Sequence, residues 1–386
     1  MSVWERLVGQ PQATAVLQRA AADSHANVDT GSTMTHAWLM TGPPGAGRST
    51  AAILFAAALT CDKQGCGTCE DCSLVLSDSH PDVNRFIPQQ LTITRDEAES
   101  LIHESALMPL RGPLRIIIVE DADRLSDVSG NMLLKSIEEP HSRTVWILCT
   151  PSSDDVLPTI RSRCRILGLA TPHWKDVASL LQREGIDAPM AAFAARAAQG
   201  HVGRARGLAL NEASRRRRHE VLAIPTQLHD LAACFVAAQE IVAVSTEEAN
   251  AEMDVRDAQE RDQVMAMFGA EAGSKSKAER AARPVLKDLE TRQKSRRTRA
   301  VRDRLDQTLV DLLSFYRDVL VIQIGSDGVD LVNEEMRPTV MKIALGTTPN
   351  STRKRMDAIE KARRLFASNA QPQMIMEALA IELARS

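Results

Sequence analysis

Four cysteines of this 386-residue chain lie close enough to share one ion: Cys61, Cys66, Cys69 and Cys72 form C-x4-C-x2-C-x2-C. Four thiolates on so short a segment can wrap a tetrahedral Zn²⁺, with Gly65 and Gly67 supplying the turns. No histidine is needed to complete the shell, so the site reads as closed and structural. An iron–sulfur cluster would use the same ligand type. Cys149, Cys164 and Cys234 are scattered and read as core residues.

A second group concerns phosphate. Gly42-Pro43-Pro44-Gly45-Ala46-Gly47-Arg48-Ser49 has the spacing GxxxxGK[ST], with Arg48 in the lysine position. Glycines let backbone N–H groups turn inward around phosphate oxygens, and the start of a helix adds partial positive charge. Ser49 is placed to ligate Mg²⁺. Arg48 keeps the charge, but its planar fork is bulkier than an ammonium. Phosphate binding can survive that change, whereas the fit needed for phosphoryl transfer is compromised. A loop kept only for its turn is the bland alternative, so occupancy by ATP and Mg²⁺ stays open.

Downstream, Ile116-Ile117-Ile118-Val119 runs into Glu120-Asp121. In a phosphate-loop enzyme an Asp ends this strand to organise Mg²⁺, and a following Glu polarises water. Here the order is reversed. Asp121 is one methylene shorter than the usual base and reaches a water poorly. A solvated acidic turn is the bland reading.

These residues need a scaffold. Apolar, β-branched runs predict strands at 36–41, 83–87, 114–119, 144–149 and 164–168. Helices are expected at 51–59 and 127–138, the latter stopping before Pro140. Such alternation implies an α/β fold: a parallel sheet with helices on both faces. After Pro172 only helical patterns remain, at 173–183, 189–199 and 203–222. The expected domains are residues 1–168 (with the cysteine module at 61–72), a small helical domain at 169–212, and a helical domain at 213–386. Residues 245–300 are dense in charge and broken by GAEAGSKSK at 269–277, reading as a solvated insertion, part helix and part loop. Helical order resumes at 301–322 with Leu305, Leu309, Leu312, Leu313, Tyr316 and Leu320, and a last helix is expected at 372–385.

Composition excludes several roles. Aromatics are 3% with a single tyrosine, which leaves no stacking platform for bases. A net charge of -3 argues against a chain that coats nucleic acid unaided. No run of about 18 apolar residues exists, so no membrane span is expected. MSVWERLVGQ lacks the charged head and apolar run of a secretory signal, so the cytoplasm is the expected location. The arginine runs 215–218 and 296–299 have acids nearby and read as solvated helix faces.

Taken together, these pieces resemble the bacterial clamp-loader subunits of the AAA+ class. The likeness rests on Val8-Gly9-Gln10, on His36-Ala37-Trp38-Leu39 leading into the phosphate loop, and on the cysteine module after the loop's helix. It also rests on Asn131-Met132-Leu133-Leu134-Lys135-Ser136-Ile137-Glu138-Glu139-Pro140, close to NALLKxLEEP, and on Ser162-Arg163-Cys164. The resemblance implies an AAA+ P-loop sheet with an inserted zinc module, a helical lid and an all-helical C-terminal collar. It implies that Arg163 is an arginine finger acting on a neighbouring subunit's ATP, a role suited to a guanidinium. Arg161 and Arg165 would share its side of an extended strand start, and only the motif picks out Arg163. Thr150 falls where the family places a polar γ-phosphate sensor. Gly200-His201-Val202-Gly203-Arg204-Ala205 resembles the lid motif GSxRDAL, with Gly203 replacing the second sensor arginine. Leu312-Leu313-Ser314-Phe315-Tyr316-Arg317-Asp318 resembles the collar.

The departures at Arg48, Glu120-Asp121 and Gly203 fall on the chain's own site, while Arg163 is kept. This implies a subunit that hydrolyses little ATP itself. Its implied partners are gamma/tau and delta subunits, and through them a sliding clamp and primed DNA, with no membrane. The alternatives are a gamma/tau-like ATPase and a zinc-stabilised scaffold outside replication.

Overall fold

Large apolar and β-branched residues crowd five short segments, and each is a strand: β1 (Ala37–Thr41), β2 (Val83–Phe86), β3 (Arg115–Val119), β4 (Thr144–Thr150) and β5 (Arg165–Gly168). The computed structural model describes residues 2–26, 32–88, 90, 92–269, 277–326, 328–366 and 370–385. The strands pair in parallel, in the order β2-β3-β4-β1-β5. Alternate side chains enter opposite layers, as the strand period requires. Trp38, Met40, Ile116, Ile118 and Ile147 enter one core, shared with Leu54, Phe55 and Leu59 of α2 (Arg48–Thr60) and Leu17 of α1 (Pro11–His25). Leu39, Ile117, Val119, Trp146 and Leu148 enter the other, shared with α4 (Arg95–Ala106) and α5 (Asp127–Glu138). A phosphate loop following interior β1 of a five-stranded parallel sheet agrees with the α/β fold that the sequence implied. The chain divides into two compact units, Met1–Leu210 and Asn211–Ser386.

The first unit also holds α3 (Glu70–Leu76) beside the cysteines and α6 (Pro158–Arg161) before β5. It ends in α7 (Trp174–Arg183), α8 (Ala188–Ala197) and α9 (Val202–Leu210), with a small core of their own around Val177, Leu181 and Ala194. The single helix expected over 203–222 is two. Asn211 ends α9's run and caps α10 (Glu212–Ala223), its Oδ1 accepting from the N–H groups of Ala213 (2.8 Å) and Ser214 (3.3 Å).

The second unit is helical: α10, α11 (Leu231–Met267), α12 (Lys277–Gln323), α13 (Arg337–Gly346), α14 (Pro349–Phe366) and α15 (Pro372–Arg385). Leu305, Leu309, Leu312, Phe315, Tyr316 and Val319 form its apolar seam. The charged stretch has the helical part expected of it. Its described parts are continuous helix in α11 and α12, and most of the GAEAGSKSK break lies outside the described residues. Acids of α11 meet bases of α12: Arg296 pairs with Asp257 and with Glu260 (2.6 Å), Arg297 with Asp254 (2.7 Å) and Arg304 with Glu252 (2.5 Å). Charge here pairs two helices.

The run at 215–218 likewise is not a purely solvated face. Arg217 bonds Glu248 (3.1 Å), and Arg218, 3% exposed, reaches Asp311 (3.3 Å), Glu335 and Asn333. Among the described residues, no helix is long and apolar enough to cross a membrane.

Removing one partner of a buried charge network costs far more than removing a surface charge. Arg218→Ala is therefore expected to lose about 3–5 kcal/mol in urea unfolding followed on the second unit. Exposed Arg216→Ala should stay within about 0.5 kcal/mol by the same measurement.

Candidate phosphate loop, cysteine cluster and Arg163

The loop Gly42–Gly47 leaves β1 and runs into α2, the geometry its spacing predicts. Gly42, Gly45 and Gly47 have φ of 154°, 87° and 91°, a region that side chains strain to adopt. Gly45 is also crowded: a Cβ there would lie 2.7 Å from His201 Cβ and 2.8 Å from His201 Cα. His201, just ahead of α9, thus packs directly on the loop. Pro43 and Pro44 are exposed at the loop's crest, and Ala46 is buried.

Gln10 fixes the loop from behind. Its Nε2 donates to the carbonyls of Ala46 (3.1 Å) and Ala170, and its Oε1 accepts from Ala170 N–H (3.2 Å). The sequence marked Gln10 only as part of a motif; its positioning role needed the fold.

At the loop's exit, Arg48 Nη1 is buried and has no hydrogen-bond partner. Ser49 Oγ donates to Glu120 Oε2 at 2.6 Å, and Arg85 Nε on β2 donates to Glu120 Oε1 at 3.1 Å. Arg85 was not among the expected site residues. Only the β2–β3 register, with Arg85 opposite Ile118, brings it to the acidic strand end.

Asp121 takes a left-handed backbone (φ 46°) and lies 3.5 Å from Arg124 Nε. Asp123 stands nearby, its carboxyl pushed up by burial and then by the charge of Asp121. Thr150 is buried at the end of β4 and donates its hydroxyl to the Ser152 carbonyl at 3.0 Å. Gly203 lies exposed on α9 and offers no side chain to the loop. Burial, then the charge of Glu120, pushes the Cys149 thiol well up, in keeping with a core residue.

The four cysteines converge: one Sγ from each of Cys61, Cys66, Cys69 and Cys72 lies within 4.8 Å of every other. Cys61–Cys66 is 3.7 Å and Cys61–Cys69 is 3.5 Å. Thiolates at about 2.3 Å from a tetrahedral zinc are about 3.8 Å apart, so the spacing suits one ion. Backbone N–H groups of Gly67, Cys69 and Cys72 donate to Cys72, Cys66 and Cys69 sulfurs at 3.3–3.4 Å. Hydrogen bonds led by those from Thr68 hold the Cys66 thiol down at about 6. The N-terminal segment braces the module, with Val3 N–H donating to Gly65 O (3.0 Å) and Trp4 Nε1 to Gln64 O (3.1 Å).

Arg163 sits elsewhere. The segment 161–165 is not extended: α6 ends at Arg161, Arg163 N–H closes a turn onto Ile160 O (3.0 Å), and β5 begins at Arg165. The three arginines diverge accordingly. Arg161 pairs with Asp154, and Arg165 stacks on Trp38 with 4.9 Å from guanidinium to ring. Arg163 Nη2 meets Glu138 Oε2 at 2.9 Å and Nη1 donates to Thr159 O at 2.8 Å. Its side chain stays 31% exposed and that of Glu138 is 54% exposed.

In the parallel register Trp38 faces Arg165 and Thr41 faces Gly168. Arg163 thus precedes the start of β5, while the phosphate loop follows the end of β1, so the two lie at opposite ends of the sheet. Three strand steps alone are roughly 10 Å at about 3.3 Å per residue.

Comparison with a family profile falls on the same unit. The profile of the family described as DNA polymerase III, delta subunit matches residues 10–173. A DNA polymerase III subunit delta' of Bacillus subtilis is 26% identical over 356 residues, 91% of this chain and 91% of its own length. The chain is similar to the delta' subunits of DNA polymerase III. The delta' subunit of Escherichia coli is 31% identical over 39% of this chain and 46% of its own length. The gamma/tau subunit of Mycobacterium tuberculosis is 32% identical over 41% of this chain and 27% of its own length. The likeness to the Bacillus subtilis protein reaches along nearly the whole chain, whereas those to the Escherichia coli and Mycobacterium tuberculosis proteins span about two fifths of it.

The crowded loop gives a stability test. At Gly45 both the left-handed backbone and the His201 contact oppose a side chain, so Gly45→Ala should cost about 2–3 kcal/mol in chemical denaturation. Gly207→Ala, in α9 with open space around it, should gain about 0.5–1 kcal/mol.

Proposed function

We propose that this chain is the delta-prime component of a cytoplasmic DNA polymerase III clamp loader, supplying Arg163 to a neighbouring subunit's ATP while hydrolysing little ATP itself. The carrying observation is the position of Arg163 at the opposite end of the sheet from its own phosphate loop. A guanidinium there cannot serve this chain's nucleotide, and its partial exposure leaves it open to a partner. Its ion pair with Glu138 is no obstacle. Exposed pairs contribute only about 0–1 kcal/mol, so a triphosphate displaces Glu138 readily. In the neighbour's site the charge of Arg163 offsets charge developing on the γ-phosphate.

The own site lacks what hydrolysis needs. Asp121 is short, turned into a left-handed conformation and near Arg124. No arginine occupies position 203. Gamma/tau and delta subunits are the proposed partners, with the sliding clamp and primed DNA engaged through the assembly.

In a loader reconstituted with gamma/tau and delta subunits, Arg163→Ala should lower DNA-stimulated ATP turnover by about tenfold or more. The purified chain alone should show no turnover that Arg48→Ala abolishes. Unchanged turnover in the Arg163→Ala complex would refute the reading.

The metal of the cysteine cluster is proposed to be a structural zinc. Four thiolates close the coordination shell and leave no position for a substrate. Metal analysis of the purified protein should find about one zinc per chain. Stripping it with a chelator should release the 61–72 module and lower the melting temperature, because metal binding here is also folding energy.

A further inference from the structure

A divalent cation at a phosphate loop needs the loop's hydroxyl as a ligand and a carboxylate at the strand end to hold its waters. Here the hydroxyl is turned to the carboxylate, and the carboxylate already carries a cation from the chain, Arg85. Ser49 Oγ is 2.6 Å from Glu120 Oε2, and Arg85 Nε is 3.1 Å from Glu120 Oε1. Glu120 is only 6% exposed, and both its oxygens are engaged. A magnesium ion at this carboxylate would sit against the Arg85 guanidinium, which already supplies the positive charge there, so the arrangement disfavours Mg²⁺.

The phosphate itself fits. Three glycines with positive φ turn the loop, and α2 begins at its end. Arg48 Nη1 is buried with no hydrogen-bond partner, a donor left without an acceptor. The remaining acids weigh little against an anion: Asp121 lies near Arg124, and burial favours the protonated form of Asp123.

We propose that this loop binds the phosphate chain of a nucleoside polyphosphate without a divalent cation, with Arg85 standing in the cation's place. In a metal-dependent site the ion neutralises the strand-end carboxylate and draws the phosphates toward it. Arg85 performs the first task permanently, and Arg48 offers the loop's own cationic contact. Nucleotide held this way would be a fixed part of the fold, since the water-organising ion that hydrolysis requires is disfavoured. The inference concerns the chain's own loop and is independent of Arg163.

Titration calorimetry on the purified full chain tests it, using ADP and inorganic pyrophosphate, each in EDTA and in excess Mg²⁺. The expected result is binding in EDTA, with a dissociation constant that changes by less than about twofold in Mg²⁺. Arg85→Ala bares Glu120, so it should bind about tenfold more weakly in EDTA and recover most of that loss in Mg²⁺. Arg85→Lys keeps the charge and should stay largely indifferent to Mg²⁺. Absence of wild-type binding in both conditions would overturn the proposal, as would wild-type binding about tenfold tighter with Mg²⁺. An Arg85→Ala protein as indifferent to the metal as wild type would also overturn it. The wild-type comparison decides the first question even if the alanine variant fails to fold.

Discussion

A buried carboxylate cannot stay charged without partners, and Glu120 at the end of β3 is the one around which the loop's chemistry is arranged. Ser49 takes one oxygen and Arg85 the other. That pairing couples three elements: the start of α2, the edge strand β2 and the adjacent strand β3. It also sets a guanidinium against the carboxylate that a phosphate-loop enzyme would turn to a metal. The substitutions legible in the sequence, Arg48, Glu120-Asp121 and Gly203, belong with this rearrangement. They alter the chain's own site while the scaffold around it stays intact: Gln10 still anchors the loop, and His201 still closes over Gly45.

The parallel sheet then separates the phosphate loop from Arg163 in space. Its C-terminal edge carries the phosphate loop, Glu120 and Thr150. Its opposite edge carries the turn before β5, from which Arg163 projects beside Glu138. The motif holding Glu138 ends α5, and the motif holding Arg163 follows α6. Two signatures distant in sequence therefore meet as one exposed ion pair. The cysteine module is a third, separate device. It braces the N-terminus through Val3 and Trp4, and Arg111 binds Glu70 and Asp71 on α3.

Much of this was legible before the fold was known. All five strands fall within one residue of expectation at each end, because β-branched apolar runs bounded by turns leave little choice. The 127–138 and 372–385 helices match their expected limits. Helices α1 and α4 were missed although α4 has a capping box between Thr94 and Glu97, a signal readable as T-x-x-E. The ion pairing of α11 with α12 was not foreseen, because dense charge suggests solvation and only packing brings Arg296 to Asp257 and Glu260. The cysteine ligands and the phosphate loop were found because their residues are contiguous. Arg85, and the pairing of Glu138 with Arg163, were not, since strand register and chain packing bring them together and no local spacing encodes that.

The central claim is that Arg163 serves a phosphate belonging to another chain. The most direct measurement is a cryo-electron microscopy structure of the assembled loader with gamma/tau and delta subunits, bound to a non-hydrolysable ATP analogue. The account requires the Arg163 guanidinium to have left Glu138 and to lie within hydrogen-bonding distance of the neighbour's γ-phosphate. A guanidinium still held by Glu138, with a different residue on that phosphate, would contradict it.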